Sequence, residues 1–183
     1  TLLSQLDIDY ERVKLDLDAA ETRTEEFLAM NPNGKIPLLE LDDGSFLCES
    51  NAIQFYLAEG TSFLPDDRIG RARVLQWMFF EQYFHEPFIA VVRHWVHLGL
   101  EEERRTEIEE KRERGHQTLS IMEDHLAAGR YFVADRYTIA DIALYAYTHV
   151  AHEGGFDLSP YPAIREWLDR VSAQPRHIPI TQG

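Results

Sequence analysis

The sequence predicts a chain in two parts, a small α/β unit over residues 1–60 and an all-helical bundle over residues 68–183. Three observations carry that division. Before residue 60, short alternating apolar runs are interleaved with short helical patterns and a turn-flanked hairpin. After residue 68, apolar residues recur only at helical spacing. Between them, Gly60-Thr-Ser-Phe-Leu-Pro-Asp-Asp67 is a polar, turn-rich connector.

An apolar helical pattern is already under way at Leu2, Leu3 and Leu6, and the chain opens without an initiator Met. This stretch reads as the second half of a helix. Tyr10, Val13, Leu15 and Leu17 alternate and predict a half-buried strand over Asp9–Leu17. Thr22–Met30 is a short helix with Thr24 as its cap, broken by Asn31-Pro-Asn-Gly34. Ile36–Leu41 and Ser45–Cys48 form a hairpin around Asp42-Asp-Gly44. Ser50 then caps a helix whose apolar face holds Ala52, Ile53, Tyr56 and Leu57.

In the second part, Arg68 to about Leu98 is a long aromatic-rich helix with a bend at Pro87. Glu101–Ala128 is a second, with Ile108, Gly115, Leu119, Met122 and Leu126 as its buried stripe. Thr138 to about Glu153 is a third. Pro162–Ala173 is a fourth, with Ile164, Trp167, Leu168 and Val171 inward.

Eighteen Lys and Arg stand against 32 Asp and Glu, a formal charge of −14, which argues against a nucleic-acid surface. No apolar stretch approaches the roughly 20 residues needed to span a bilayer, and no signal-peptide pattern opens the chain. No membrane partner is expected. The single Cys48 forms no internal disulfide, which fits a reducing, cytoplasmic setting.

The stretch richest in chemical meaning is Asn31-Pro-Asn-Gly-Lys-Ile-Pro-Leu-Leu39. Pro37 opens a strand, where it lacks the N–H a ladder needs. A trans bond opening an edge strand and a cis Ile36–Pro37 bond both suit that position, trans being the base state. A cis bond would leave the backbone of Ile36 free to receive an extended peptide. Glu49-Ser50 sits where a strand gives way to a helix. The helix N-terminus and the Ser50 hydroxyl suit a carboxylate, and the Glu49 carboxylate suits an ammonium. The plainer readings are a cap at Ser50 and a solvated charge at Glu49.

These segments, with Asp42-Asp-Gly44, Glu49-Ser-Asn-Ala-Ile53 and Thr138-Ile-Ala-Asp141, resemble the glutathione transferase family over nearly the whole chain. The resemblance implies a thioredoxin-like N-terminal domain followed by a helical domain. It implies a cis Pro37, with Ile36 pairing its backbone to the cysteinyl unit of glutathione. Glu49 and Ser50 would hold the γ-glutamyl end, and Lys35 would lend charge to the glycyl carboxylate. It also implies a homodimer, and Thr138 and Asp141 as a capping box in the helical domain. The family's first strand and thiol-activating residue have no counterpart here, so the catalytic residue is unknown. The function expected is conjugation or exchange of the glutathione thiol with a small electrophile, glutathione being the co-substrate. A non-catalytic interaction or regulatory module on the same fold is the alternative.

Other features carry plainer readings. Cys48 reads as a small buried hydrophobe. His94 with His97, and His149 with His152, have i, i+3 spacing but no third ligand, so no metal is expected. Trp77, Phe79, Phe80, Tyr83 and Phe84 read either as a pocket wall or as packing and a dimer face.

Overall fold

The computed structural model describes residues 1–17 and 19–180. A short helix α1 (Leu2–Gln5) opens the chain, with Leu2 buried. A tight 3₁₀ turn at Glu21–Arg23 leads into α2 (Glu25–Met30). The Phe27 N–H donates to Thr24 Oγ1 at 3.2 Å, so Thr24 is the N-cap the sequence predicts. Strands β1 (Leu38–Glu40) and β2 (Phe46–Cys48) pair antiparallel, with Leu39 opposite Leu47. Gly44, at φ 79°, makes the turn between them. Helix α3 (Ser50–Leu57) follows and rests on α1 and on the later helix Ile139–Thr148.

The strand expected over Asp9–Leu17 does not form. Val13 is 75% exposed and Tyr10 50%, and among the described residues the sheet is β1–β2 alone. Alternation marks a strand only where a neighbour supplies the ladder, and among the described residues none pairs with this segment. The helix at residue 50 also differs in detail. Glu49, not Ser50, is its N-cap, and no side chain caps it. Ala52 and Tyr56 face outward, whereas Ile53 is buried.

The helical part comprises α4 (Arg68–Phe80), α5 (Glu86–His97), α6 (Arg105–Ala127), α7 (Ile139–Thr148) and α8 (Pro162–Ser172). The single helix expected over 68–98 is divided by a wider π turn at Glu81–His85. Pro87 explains it. It has no N–H for the carbonyl of Tyr83, and its ring would crowd that carbonyl in a regular α-helix. The Phe84 carbonyl accepts the Thr118 hydroxyl instead, and the buried His85 Nε2 lies 2.8 Å from Thr148 Oγ1. The second helix begins at Arg105 rather than Glu101. The third ends at Thr148, followed by a 3₁₀ turn at Ala151–Gly154.

All five residues of the α6 stripe are buried, and Gly115 shows why one of them is glycine. A Cβ there would lie 2.4 Å from a ring carbon of Phe156. On α8, Ile164, Trp167 and Val171 are fully buried and Leu168 partly so. The Asp141 carboxylate accepts from Thr138 N (2.9 Å), completing the capping box. It also accepts from Phe132 N (3.2 Å) and Trp167 Nε1 (3.0 Å). Burial nevertheless pushes its carboxyl up to about 6.

Candidate functional site

The loop before β1 is built by one buried side chain. Asn31 donates through Nδ2 to the Lys35 carbonyl at 2.7 Å, and its Oδ1 accepts the Asn33 N–H at 3.1 Å. Asn31 is 3% exposed, so these bonds fix the loop from inside. Gly34 is obligatory in it: φ is +59°, and a Cβ would fall 2.9 Å from the Thr22 carbonyl oxygen. The loop delivers Lys35 and Ile36 to the surface. The Ile36–Pro37 peptide bond is cis. Ile36 is 51% exposed, and among the described residues neither its N–H nor its C=O has a hydrogen-bond partner.

At the other end of the hairpin, Glu49 is held at φ 69° and ψ 117°. A non-glycine residue there costs on the order of 1–3 kcal/mol and persists only where its surroundings enforce it. The turn brings Glu49 and Ser50 to the start of α3, whose first N–H groups have no helical acceptor. Among the described residues the Ser50 hydroxyl has no partner either.

The five residues singled out in the sequence, Lys35, Ile36, Pro37, Glu49 and Ser50, all line one cavity of about 500 Å³. Its floor and one wall come from the first domain. The opposite wall comes from the π turn, through Glu81 and Gln82, from the start of α5, through Glu86, and from α7, through Tyr147. Lys35 is the sole cation among the described lining residues and faces an otherwise acidic rim. Burial pushes the Glu81 carboxyl up to about 7. Hydrogen bonds from Gln82 and Asn51 oppose that rise, and the nearby Glu86 charge adds to it. Burial, then Glu86 and Glu81, also raise the Tyr147 hydroxyl.

The wall from the helical domain was not singled out in the sequence. A signal was present: Val74, Trp77, Met78, Glu81 and His85 follow helical spacing on one buried stripe, and two of its members are polar. The aromatic run divides. Trp77 is in the core, whereas Phe79, Tyr83 and Phe84 are 66%, 76% and 53% exposed and do not reach the cavity. Cys48 also lies outside it, half-buried, with Sγ 4.0 Å from the Met30 carbonyl. Among the described residues, no group of three or more His, Cys, Asp or Glu is placed to hold a metal ion.

The arrangement offers an exposed backbone edge, a helix N-terminus with a free hydroxyl, and carboxylates on both walls. That set suits a short extended molecule bearing both a carboxylate and an ammonium.

Comparison with known proteins agrees with this architecture. The chain is similar to a glutathione S-transferase of Pseudomonas fluorescens, with 55% identity and a TM-score of 0.95 over 97% of this chain and 89% of that one. It is similar to the disulfide-bond oxidoreductase YfcG of Escherichia coli, 30% identical over 94% of this chain and 83% of that protein. It also resembles a Burkholderia graminis glutathione transferase solved with two glutathione molecules per subunit. There the identity is 26% and the TM-score 0.84, over 96% of this chain and 78% of that one. Residues 1–59 match the N-terminal domain of glutathione S-transferases and residues 75–175 their C-terminal domain, so the chain belongs to the glutathione S-transferase family.

Proposed function

We propose that the cavity between the domains binds glutathione and presents its thiol to a small electrophile. The observation that carries this reading is the convergence of Lys35, Ile36, Pro37, Glu49 and Ser50 on one cavity. In this reading the free N–H and C=O of Ile36 pair with the cysteinyl backbone, and cis Pro37 shapes that edge. The γ-glutamyl carboxylate lies at the start of α3 against the Ser50 hydroxyl and N–H, and the ammonium lies against Glu49. Lys35 faces the glycyl carboxylate.

A free thiol with a pKa near 8.5 is only a few per cent ionised at neutral pH, so turnover needs a donor beside the sulfur. None of the five residues supplies one, and the catalytic residue is left unassigned. Two reactions fit the same bound thiolate. In conjugation the sulfur bonds to an electrophilic carbon as its leaving group departs with the electron pair. In exchange it attacks one sulfur of a disulfide and expels the other as a thiolate. Solved relatives with glutathione bound support the ligand, and the E. coli relative's name supports disulfide exchange. A binding module without turnover on the same fold is the second reading.

Calorimetric titration of glutathione into the protein tests the site. Ser50→Ala is expected to weaken binding by about 1–3 kcal/mol, the scale of a charge-assisted hydrogen bond. Equal affinity in the variant would show the carboxylate lies elsewhere. Incubation with glutathione and either an aryl halide or a mixed disulfide separates the chemistries. A thioether product marks conjugation, loss of the disulfide marks exchange, and binding with neither marks the module.

We also propose a two-fold dimer built on Phe79, Tyr83 and Phe84, three large exposed aromatics on one stretch of the helical domain. Light scattering at micromolar concentration should give twice the 21.3 kDa of one chain. Tyr83→Glu should shift that mass toward the single chain. A parent already at single-chain mass would refute the dimer.

A further inference from the structure

Glu81 is a buried carboxylate at the meeting of the two domains, and the reading above gives it no task. We infer that Glu81 is a positioning residue for the ligand-facing end of α3, acting through Asn51. This rests on the glutathione reading of the cavity and extends it across the domain boundary.

Helix α3 is only eight residues long, and no side chain caps its start. Its orientation there depends on what holds its first turn. Asn51, next to Ser50, supplies the hold. Its Nδ2 donates to Glu81 Oε2 at 3.1 Å and to the Met78 carbonyl at 3.1 Å, and its Oδ1 accepts from Gln54 at 3.4 Å. On the far side, Gln82 Nε2 donates to Glu81 Oε2 at 2.7 Å and to Glu86 Oε2 at 2.8 Å. A continuous chain, Glu86–Gln82–Glu81–Asn51–Gln54, therefore runs along the cavity from the start of α5 through the π turn to α3. Glu81 is its central and most buried member, 3% exposed.

A buried carboxylate is costly unless its partners are well placed. A glutamate that only filled space would be outdone by an apolar residue. One whose oxygen fixes the amide of Asn51 sets the direction of Ser50, the next residue in the chain. The π turn contributes too. It carries Glu81 and Gln82 on the cavity side, and Gln82 reaches Glu86 at the start of α5.

The test is glutathione affinity in four variants of the protein, with thermal melts to confirm that each is folded. Glu81→Ala and Asn51→Ala should each weaken binding about tenfold, the scale of one lost charge-assisted hydrogen bond. Glu81→Gln keeps a carbonyl acceptor for Asn51 and should return affinity to within about threefold of the parent. The double variant Glu81→Ala/Asn51→Ala should bind no more weakly than either single one, because both remove the same contact. A residue that only stabilised the fold would lower the melting midpoint and leave affinity untouched. Parent-like affinity in Glu81→Ala, fully additive losses, or no rescue by Glu81→Gln would each overturn the assignment. A parent that binds no glutathione overturns the functional reading instead, and this extension with it.

Discussion

Asp141→Ala is expected to lower the free energy of unfolding by about 3–4 kcal/mol, well above the roughly 1 kcal/mol of an ordinary exposed cap. The difference lies in what the carboxylate serves. It accepts from the N–H groups of Thr138 and Phe132, from the indole N–H of Trp167 and from the Thr138 hydroxyl. Alanine would strand three buried N–H donors, each costing about 1–3 kcal/mol, while relieving the desolvation of the carboxylate itself. The damage would spread, since these donors belong to three places: the start of α7, the segment before it, and α8. Asp141→Asn keeps one acceptor oxygen but turns an amide N–H₂ toward existing donors, so it should recover less than half of the loss. Urea unfolding midpoints decide this. An unchanged midpoint in Asp141→Ala would make the capping box incidental.

That motif was legible because its chemistry is local: Thr138 and Asp141 are three residues apart, and a cap needs nothing else. The α6 stripe and the hairpin were legible for the same reason. The failures have a common cause as well. Asp9–Leu17 carries a strand's alternation, but a ladder needs a neighbour, and alternation says nothing of whether one is there. The break at Glu81–His85 follows from Pro87, yet the widened turn lies upstream of the proline, where the carbonyl it deprives is found. In the site, Ile36, Pro37, Glu49 and Ser50 stood out by local chemistry with plainer readings beside them, and the family resemblance favoured the ligand readings and added Lys35. Their backbone strain and missing partners are visible only in three dimensions. The opposite wall was illegible because a glutamate on an aromatic helix does not announce which residue it will meet 30 positions away. Asn51 and Glu81 acquire meaning only as a pair.

Glu81 should also shape how stability responds to pH. Burial raises its carboxyl from the ordinary 4.5 to about 7 in the folded protein. The folded state therefore holds this proton over a range where the unfolded chain has lost it. The stability tied to that proton is fully present below pH 4.5 and is lost as pH rises through about 7. At 1.36 kcal/mol per pH unit, the loss is on the order of 3 kcal/mol. The buried His85 acts oppositely: burial lowers it from 6.5 to about 3. Its contribution is complete above pH 6.5 and fades as pH falls toward 3. Asp141, raised to about 6, behaves like Glu81. The parent's profile therefore mixes opposing slopes and shows none of them alone. Glu81→Gln removes one group and leaves the other two in both proteins, so the difference between variant and parent isolates it. That difference should move in the variant's favour by about 3 kcal/mol between pH 4 and pH 8, with most of the change between 4.5 and 7. Urea unfolding of both proteins across that range measures it. A constant difference would mean that Glu81 ionises in the folded protein as it does in the unfolded chain, and that its burial between α3 and the π turn costs its charge nothing.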